Sequence, residues 1–216
     1  MLKIHKLFLD FFFPKKCFGC NNTKSFLCIN CVSSIPKSTL NIDKNTYALF
    51  SYKNPLIKKV LWHFKYRGHS ILAEELASLL YELILEEISD ERLLNDFINP
   101  IFIPIPISRK RLRVRGFNQS ELIAKNVVKL NKKDFSLVTN VLYKLKDTPN
   151  QMSIKDKDKR LKNLKDCFSI KDTSAVYNKN IVLIDDITTT GATINEARNV
   201  LMQAGARQII AFTIAH

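Results

Sequence analysis

The segment 181–193, IVLIDDITTTGAT, constrains the fold of this chain more than any other stretch. It opens with apolar, mostly β-branched residues, as a buried strand does, so 180–184 (NIVLI) is read as a strand. Two carboxylates follow, then four Thr and one Gly, and then a helical pattern carried by Ile194, Ala197, Val200 and Leu201. Gly205 terminates that helix, and QIIAFTI (208–214) reads as a further strand. Strand, helix, strand in this order calls for a right-handed crossover between parallel strands. The chain is therefore expected to be an α/β protein built on a parallel sheet.

Ligands of open parallel sheets bind beyond the carboxyl ends of the strands. A helix N-terminus there offers unpaired N–H groups and partial positive charge, which suit a phosphate dianion. Gly191 lets the backbone approach closely, and the hydroxyls of Thr188, Thr189, Thr190 and Thr193 add donors. Asp185 and Asp186 are acceptor-only when ionised and match sugar hydroxyls. Asp185, Asp186, Ile187, Thr188, Thr189, Thr190, Gly191, Ala192 and Thr193 are thus the candidate site for a 5-phosphoribosyl group. The five glycines, Gly19, Gly68, Gly116, Gly191 and Gly205, allow neither GxGxxG nor GxxxxGK[ST] anywhere in the chain. A magnesium site of a nucleotide hydrolase would need a phosphate-cradling partner loop that is absent. A helix cap explains the threonines alone, but two adjacent acids beside a buried strand are an expensive addition to a cap.

Four of the five cysteines fall as Cys17-x2-Cys20-x7-Cys28-x2-Cys31. Two such knuckles supply the four thiolates of a closed, structural, tetrahedral Zn²⁺ site. Redox CxxC chemistry is the rival reading, and two pairs so close together favour metal. So small a module has almost no core, and zinc is expected to contribute roughly 10 kcal/mol or more of its folding energy. Cys167 stands alone and reads as a half-buried hydrophobe.

The opening MLKIHKLFLDFFFP superficially resembles a signal peptide, but Lys6 and Asp10 interrupt its apolar run and no small-residue cleavage site follows. An amphipathic helix packed on the protein is expected there, and a cytoplasmic location. Contact with the inner membrane face through 7–13 stays open. The stretch 32–46 reads as a connector. This gives an N-terminal helix and four-cysteine zinc-finger module over 1–34, a linker over 35–45 and the main domain over 46–216.

Within the main domain, 46–52 has strand character, while Leu56, Ile57, Val60, Leu61 and Phe64 recur at helical spacing. A second helix is predicted over 70–88. IFIPIPI (101–107) is a strand whose prolines suit its end. A basic loop is predicted over 109–119, a helix after it, and loop with short helix over 141–168.

Lys and Arg number 34 against 20 Asp and Glu, a net charge of +14 that attracts polyanions. A lysine-rich composition can arise without any ligand, so the arginines say more. Four of the nine are Arg109, Arg111, Arg113 and Arg115, which with Lys110 repel one another unless an anion neutralises them. Arg also gives bidentate phosphate contacts. With Lys65 and Arg67 they are the candidate DNA-binding residues. Trp62, Phe64 and Tyr66 fit either stacking on single-stranded bases or core packing. The cluster Lys155, Lys157, Lys159, Arg160 and Lys162 is diluted by Asp156 and Asp158, and His63 and His69 read as structural.

The segment 181–193 resembles the 5-phosphoribosyl 1-diphosphate signature of type I phosphoribosyltransferases. With the CxxC pairs, LWHFKYRG (61–68), PIPISRKRLRVRGFNQS (104–120), Gln151, Arg160, Asn163, Phe168 and LMQAGA (201–206), the chain resembles the ComF family of competence proteins. The resemblance implies a zinc finger joined to a phosphoribosyltransferase-like fold that handles single-stranded DNA during natural transformation, with competence-machinery proteins as partners. It implies Ser108, Arg109 and Lys110 near the pyrophosphate, and Mg²⁺ carried with the diphosphate. An active transferase, passing the phosphoribosyl group to a base or amine with release of diphosphate, is the alternative. Two departures stand out: Lys144 and Lys146 where relatives often carry Arg, and Thr188 in place of an apolar residue.

Overall fold

A computed structural model, which describes residues 15–38, 43–67, 70–145 and 167–216, places a five-stranded parallel sheet at the centre of the main domain. The cysteine segment contributes helix α1 (Ile29–Ser33). There follow β1 (Thr46–Phe50), α2 (Pro55–Tyr66), α3 (Leu72–Asn95), β2 (Ile101–Pro104), α4 (Arg109–Arg115), α5 (Gln119–Leu130) and β3 (Ser136–Leu137). The chain closes with β4 (Leu142–Lys144), β5 (Phe168–Ile170), β6 (Asn180–Ile187), α6 (Ala192–Gln203) and β7 (Gln208–Ala215). The sheet order is β1-β7-β6-β2-β3, with every neighbouring pair parallel.

β6 lies in the middle, and its alternation divides the core. Val182 and Ile184 join Ile210, Phe212 and Ile214 of β7 in one cluster with the apolar faces of α2, α3 and α5. Ile181 and Leu183 join Ile209 and Ala211 in a second cluster, covered by Ile194, Ala197 and Leu201 of α6. The 3.6-residue pattern of α2 buries Ile57, Val60, Leu61 and Phe64. Its start is set by Asn54, whose side chain accepts from the amides of Leu56 at 2.9 Å and Ile57 at 3.2 Å, with Pro55 at the first helical position.

Several elements differ from the sequence expectation. The stretch 109–115 is helix, not loop: Ser108 caps it, and Gly116, at φ 79°, ends it with its amide on Leu112 O. Its apolar residues Leu112 and Val114 face solvent, 44% and 76% exposed, so no core-facing period announced it. Helix α3 runs to Asn95 rather than 88, and its last turns carry the exposed Leu93 and Leu94. That end is held by polar contacts instead: Gln208 Nε2 donates to Asn95 O at 2.8 Å, and Arg207 meets Asp96 at 2.7 Å. Residues 142–144 and 168–170 form an antiparallel pair where loop and short helix were expected. Leu142, Cys167 and Phe168 give it enough buried surface, and Cys167 is fully buried rather than half.

The connector is not slack where it is described. Ile35 is buried, Ser38 N donates to Leu49 O at 3.1 Å, and Lys37 forms a bridge with Phe50. The cysteine segment is clamped to the helices as well. Both Glu75 oxygens of α3 accept from Phe26 N, at 3.1 and 3.0 Å, and one also accepts from Leu27 N at 2.9 Å. Lys59 Nζ of α2 donates to Phe18 O at 3.0 Å, and the Phe18 ring packs on His63 with centroids 4.4 Å apart. The expected N-terminal helix within 1–14, His69, Lys146, Gln151, Asn163 and the cluster from Lys155 to Lys162 lie outside the described residues. No helix among the described residues is long and apolar enough to cross a membrane.

Candidate functional site

The two acids ride on the last residues of β6 rather than on a loop beyond it, since the strand continues to Ile187. β7 pairs along this end through Asp185↔Thr213 and Ile187↔Ala215, and Thr188 N still donates to Ala215 O at 3.0 Å. The chain then turns through Gly191, whose φ of 74° is a left-handed conformation that glycine adopts without strain. Helix α6 starts at once. Gly191 brings no side-chain cap, and Ala192 N reaches Thr190 Oγ1 at 3.4 Å.

Asp185 Oδ1 accepts from Ser120 Oγ at 3.0 Å and from Asp186 N at 2.8 Å. Burial, and then the Asp186 carboxylate next to it, push the Asp185 carboxyl up to about 7. Asp186 is 7% exposed, and its Oδ2 lies 2.9 Å from Lys65 Nζ of α2. Sequence reasoning assigned Lys65 to a nucleic-acid surface and did not single out Ser120. Both are recruited across the fold, by α2 and by the start of α5, where Asn118 caps the helix and anchors it by donating to Ile105 O at 3.0 Å.

The cleft is lined by the residues from Asp185 to Thr193, by Lys65 and Ser120, by Ile105, Pro106 and Ile107 after β2, and by Arg111, Arg115 and Lys144. Counting the part open to solvent, it encloses about 750 Å³. The arginine run is split by its helix. Arg111 and Arg115, four residues apart, reach this cleft, whereas Ser108, Arg109 and Lys110 line an adjoining groove with Tyr143, Lys144 and Ser169. Ser108 is buried and its hydroxyl is used to cap α4, accepting from Arg111 N. Arg113 is exposed outside both, and Arg67 lies exposed at the end of α2. Of the three aromatics, Phe64 is wholly buried in the core, and Trp62 and Tyr66 stand outside.

The Sγ atoms of Cys17, Cys20, Cys28 and Cys31 all lie within 4.8 Å of one another, and none is joined in a disulfide. Tetrahedral zinc with sulfur at about 2.3 Å needs spacings of this order. The cradle is tight: a Cβ on Gly19 would sit 2.7 Å from Cys31 Sγ. Burial disfavours the Cys17 thiolate, yet amides of Cys28, Cys20 and Gly19 directed at its sulfur outweigh it and bring the thiol down to about 6. The Cys28 thiol, with burial, pushes Cys31 up to about 12. A divalent cation is what lets four such sulfurs ionise together, so the residues fit a structural metal site.

The sheet order and the parallel register define an α/β protein built on a parallel sheet, carrying a four-cysteine module. No protein-family model matches the chain. It is 32% identical over 167 residues to competence protein ComFC of Streptococcus pneumoniae, a match covering 77% of this chain and 66% of that protein. With ComFC of Bacillus subtilis it shares 30% over 169 residues, 77% of this chain and 62% of the relative. Competence protein F of Haemophilus influenzae is 28% identical over 157 residues, 72% and 66% of the two chains. The chain belongs to the ComF family of competence proteins, and the match spans just under two thirds of the length of these relatives. A hypoxanthine phosphoribosyltransferase from Staphylococcus aureus superposes with a TM-score of 0.35 and 16% identity, covering 65% of this chain and 62% of that one. That similarity is too low to bear on the fold, which rests on the strand order and register.

Proposed function

We propose that the cleft binds 5-phosphoribosyl 1-diphosphate or a related sugar phosphate, and that the protein holds single-stranded DNA on the basic surface of α4 and acts in DNA uptake. The reading is carried by one observation: Asp185 and Asp186 lie in the last residues of the central strand, and the threonine turn that follows leads into α6. The 5-phosphate takes the cradle from Thr188 to Thr193, where helix amides and hydroxyls donate. The ribose hydroxyls donate to the two carboxylates. Arg111, Arg115 and Lys144 meet the anionic far end of the ligand, with Ser108, Arg109 and Lys110 flanking it from the groove alongside. The carboxylates are the hard oxygen donors that Mg²⁺ carried by a diphosphate would meet. Zinc is the metal that the four thiolates select, and its role is structural.

DNA binding is supported by the exposed cations Arg109, Arg113 and Arg67 around a cleft that already carries Arg111, Arg115 and Lys65. The relatives are named competence proteins and, in Escherichia coli, a DNA utilization protein, which supports the same role here. Thermal unfolding with and without 5-phosphoribosyl 1-diphosphate and Mg²⁺ tests the ligand. The protein is expected to be stabilised, and Asp185→Asn with Asp186→Asn to abolish the effect. Stabilisation that survives the double substitution would refute the assignment of the acids.

A further inference from the structure

Beside the cleft, α2 carries a feature that sugar-phosphate binding leaves unused. Trp62 and Tyr66 stand four residues apart on one face, 46% and 50% exposed, with ring centroids 6.1 Å apart. A guanidinium lies against each ring: Arg67 Cζ is 5.1 Å from the centre of Trp62, and Arg115 Cζ is 5.3 Å from that of Tyr66. Arg115 Nη2 also reaches Tyr66 Oη at 3.5 Å. The core does not need these rings, because Phe64 on the opposite face fills it. Tyr52, Leu61 and Ile187 complete the walls of a hollow here, and Lys65, Arg115 and Ile187 line both this hollow and the cleft. The two adjoin across these three residues, with acids and threonines on one side and aromatic rings on the other.

We propose that the shelf formed by Trp62 and Tyr66 takes the planar base of a ribonucleoside 5′-monophosphate whose ribose and phosphate occupy the cleft. This rests on the sugar-phosphate reading and adds the class of ring attached to the sugar. Exposed aromatic faces stack on any base, and Arg supplies both cation–π attraction and in-plane donors to ring oxygen and nitrogen atoms. The acids decide between ribose and a DNA end. The carboxyl oxygens of Asp185 and Asp186 are acceptors that match free 2′- and 3′-hydroxyls. A 5′-terminal deoxynucleotide has no 2′-hydroxyl and its 3′-oxygen is esterified, so it adds no sugar hydroxyl to the Ser120 and Lys65 partners that the acids already have.

Trp62 is the single tryptophan of the chain, which makes its emission a readout of the shelf. Ribose 5-phosphate is expected to bind without quenching it, whereas AMP quenches it and binds roughly tenfold more tightly, as one stacked base implies. In calorimetric titrations, Trp62→Leu and, separately, Tyr66→Leu remove that advantage and leave ribose 5-phosphate affinity unchanged. Equal affinity for the two ligands, or an AMP advantage that survives both substitutions, overturns the shelf while sparing the sugar-phosphate site. Binding of neither ligand overturns both. Quenching by a 5′-phosphorylated oligodeoxynucleotide that AMP cannot displace assigns the shelf to DNA and overturns the proposal as well.

Discussion

Lys65 and Asp186 meet at 2.9 Å, joining the last turn of α2 to the end of the central strand, with both side chains nearly shut off from solvent. Breaking such a pair from one side leaves an uncompensated charge, which costs far more than the pair contributes. Lys65→Met is expected to lower stability by roughly 3 kcal/mol in urea denaturation. Lys65→Met combined with Asp186→Asn is expected to recover much of that loss. Additive losses would show that the ion pair is not an energetic unit.

The Asp185 carboxyl is pushed up to about 7 by burial and by Asp186, from an ordinary value near 4 in the unfolded chain. Between those values the folded state holds a proton that the unfolded state has lost, so stability falls as pH rises. The contribution is complete below about pH 4 and gone above about pH 7. Asp185→Asn keeps an oxygen to accept from Ser120 Oγ and Asp186 N and carries no charge. Its stability relative to the parent is therefore expected to improve from pH 4.5 to pH 8. A constant difference across that range would mean that Asp185 is not held protonated by its surroundings.

The split of the arginine helix separates two affinities. Arg111→Gln is expected to weaken sugar-phosphate binding, because Arg111 lines the cleft. Arg113→Gln, outside both the cleft and the adjoining groove, is expected to spare that ligand and to weaken oligonucleotide binding instead. The salt slope on single strands is then expected to fall by about 0.7 log units for each phosphate that is no longer neutralised. Equal weakening of both ligands in both variants would contradict the division of the helix into two faces.

One zinc ion per chain is expected by elemental analysis, and none after Cys28→Ser with Cys31→Ser. Removing the metal with a chelator is expected to unfold the cysteine segment, whose folding energy comes mainly from the ion. Hydrogen exchange is expected to rise first at Phe26 and Leu27, the amides bound to Glu75. Protection there that ignores metal removal would show that the segment is held by the helices alone.

Much of the frame was legible in the sequence because burial leaves a period. α2, α6, β6 and β7 follow the apolar pattern of residues such as Ile57, Phe64, Leu201 and Phe212, all buried. The cysteine spacing likewise foretold sulfurs close enough to share an ion. What escaped lacked such a period. Helix α4 turns Leu112 and Val114 outward, so its signals were confined to Ser108 and Gly116 at its ends. Ser120 and Asp185 are 65 positions apart, and no local pattern pairs them. The outward turn of Trp62 and Tyr66 was equally hidden, since alternating aromatics fit a buried face and an exposed one alike until the helix sets their directions.

The register of β6 against β7 bears on how the cleft meets its ligand. Both acids sit on backbone that is already pinned, by the β7 ladder through Ile187↔Ala215 and by Ile105 N on Ile184 O at 2.9 Å. A ligand that reaches this end meets carboxylates on backbone that is already ordered, so gripping it there loses little ordering entropy. The cations around it, Arg111, Arg115 and Lys144, draw an anion towards that prepared end.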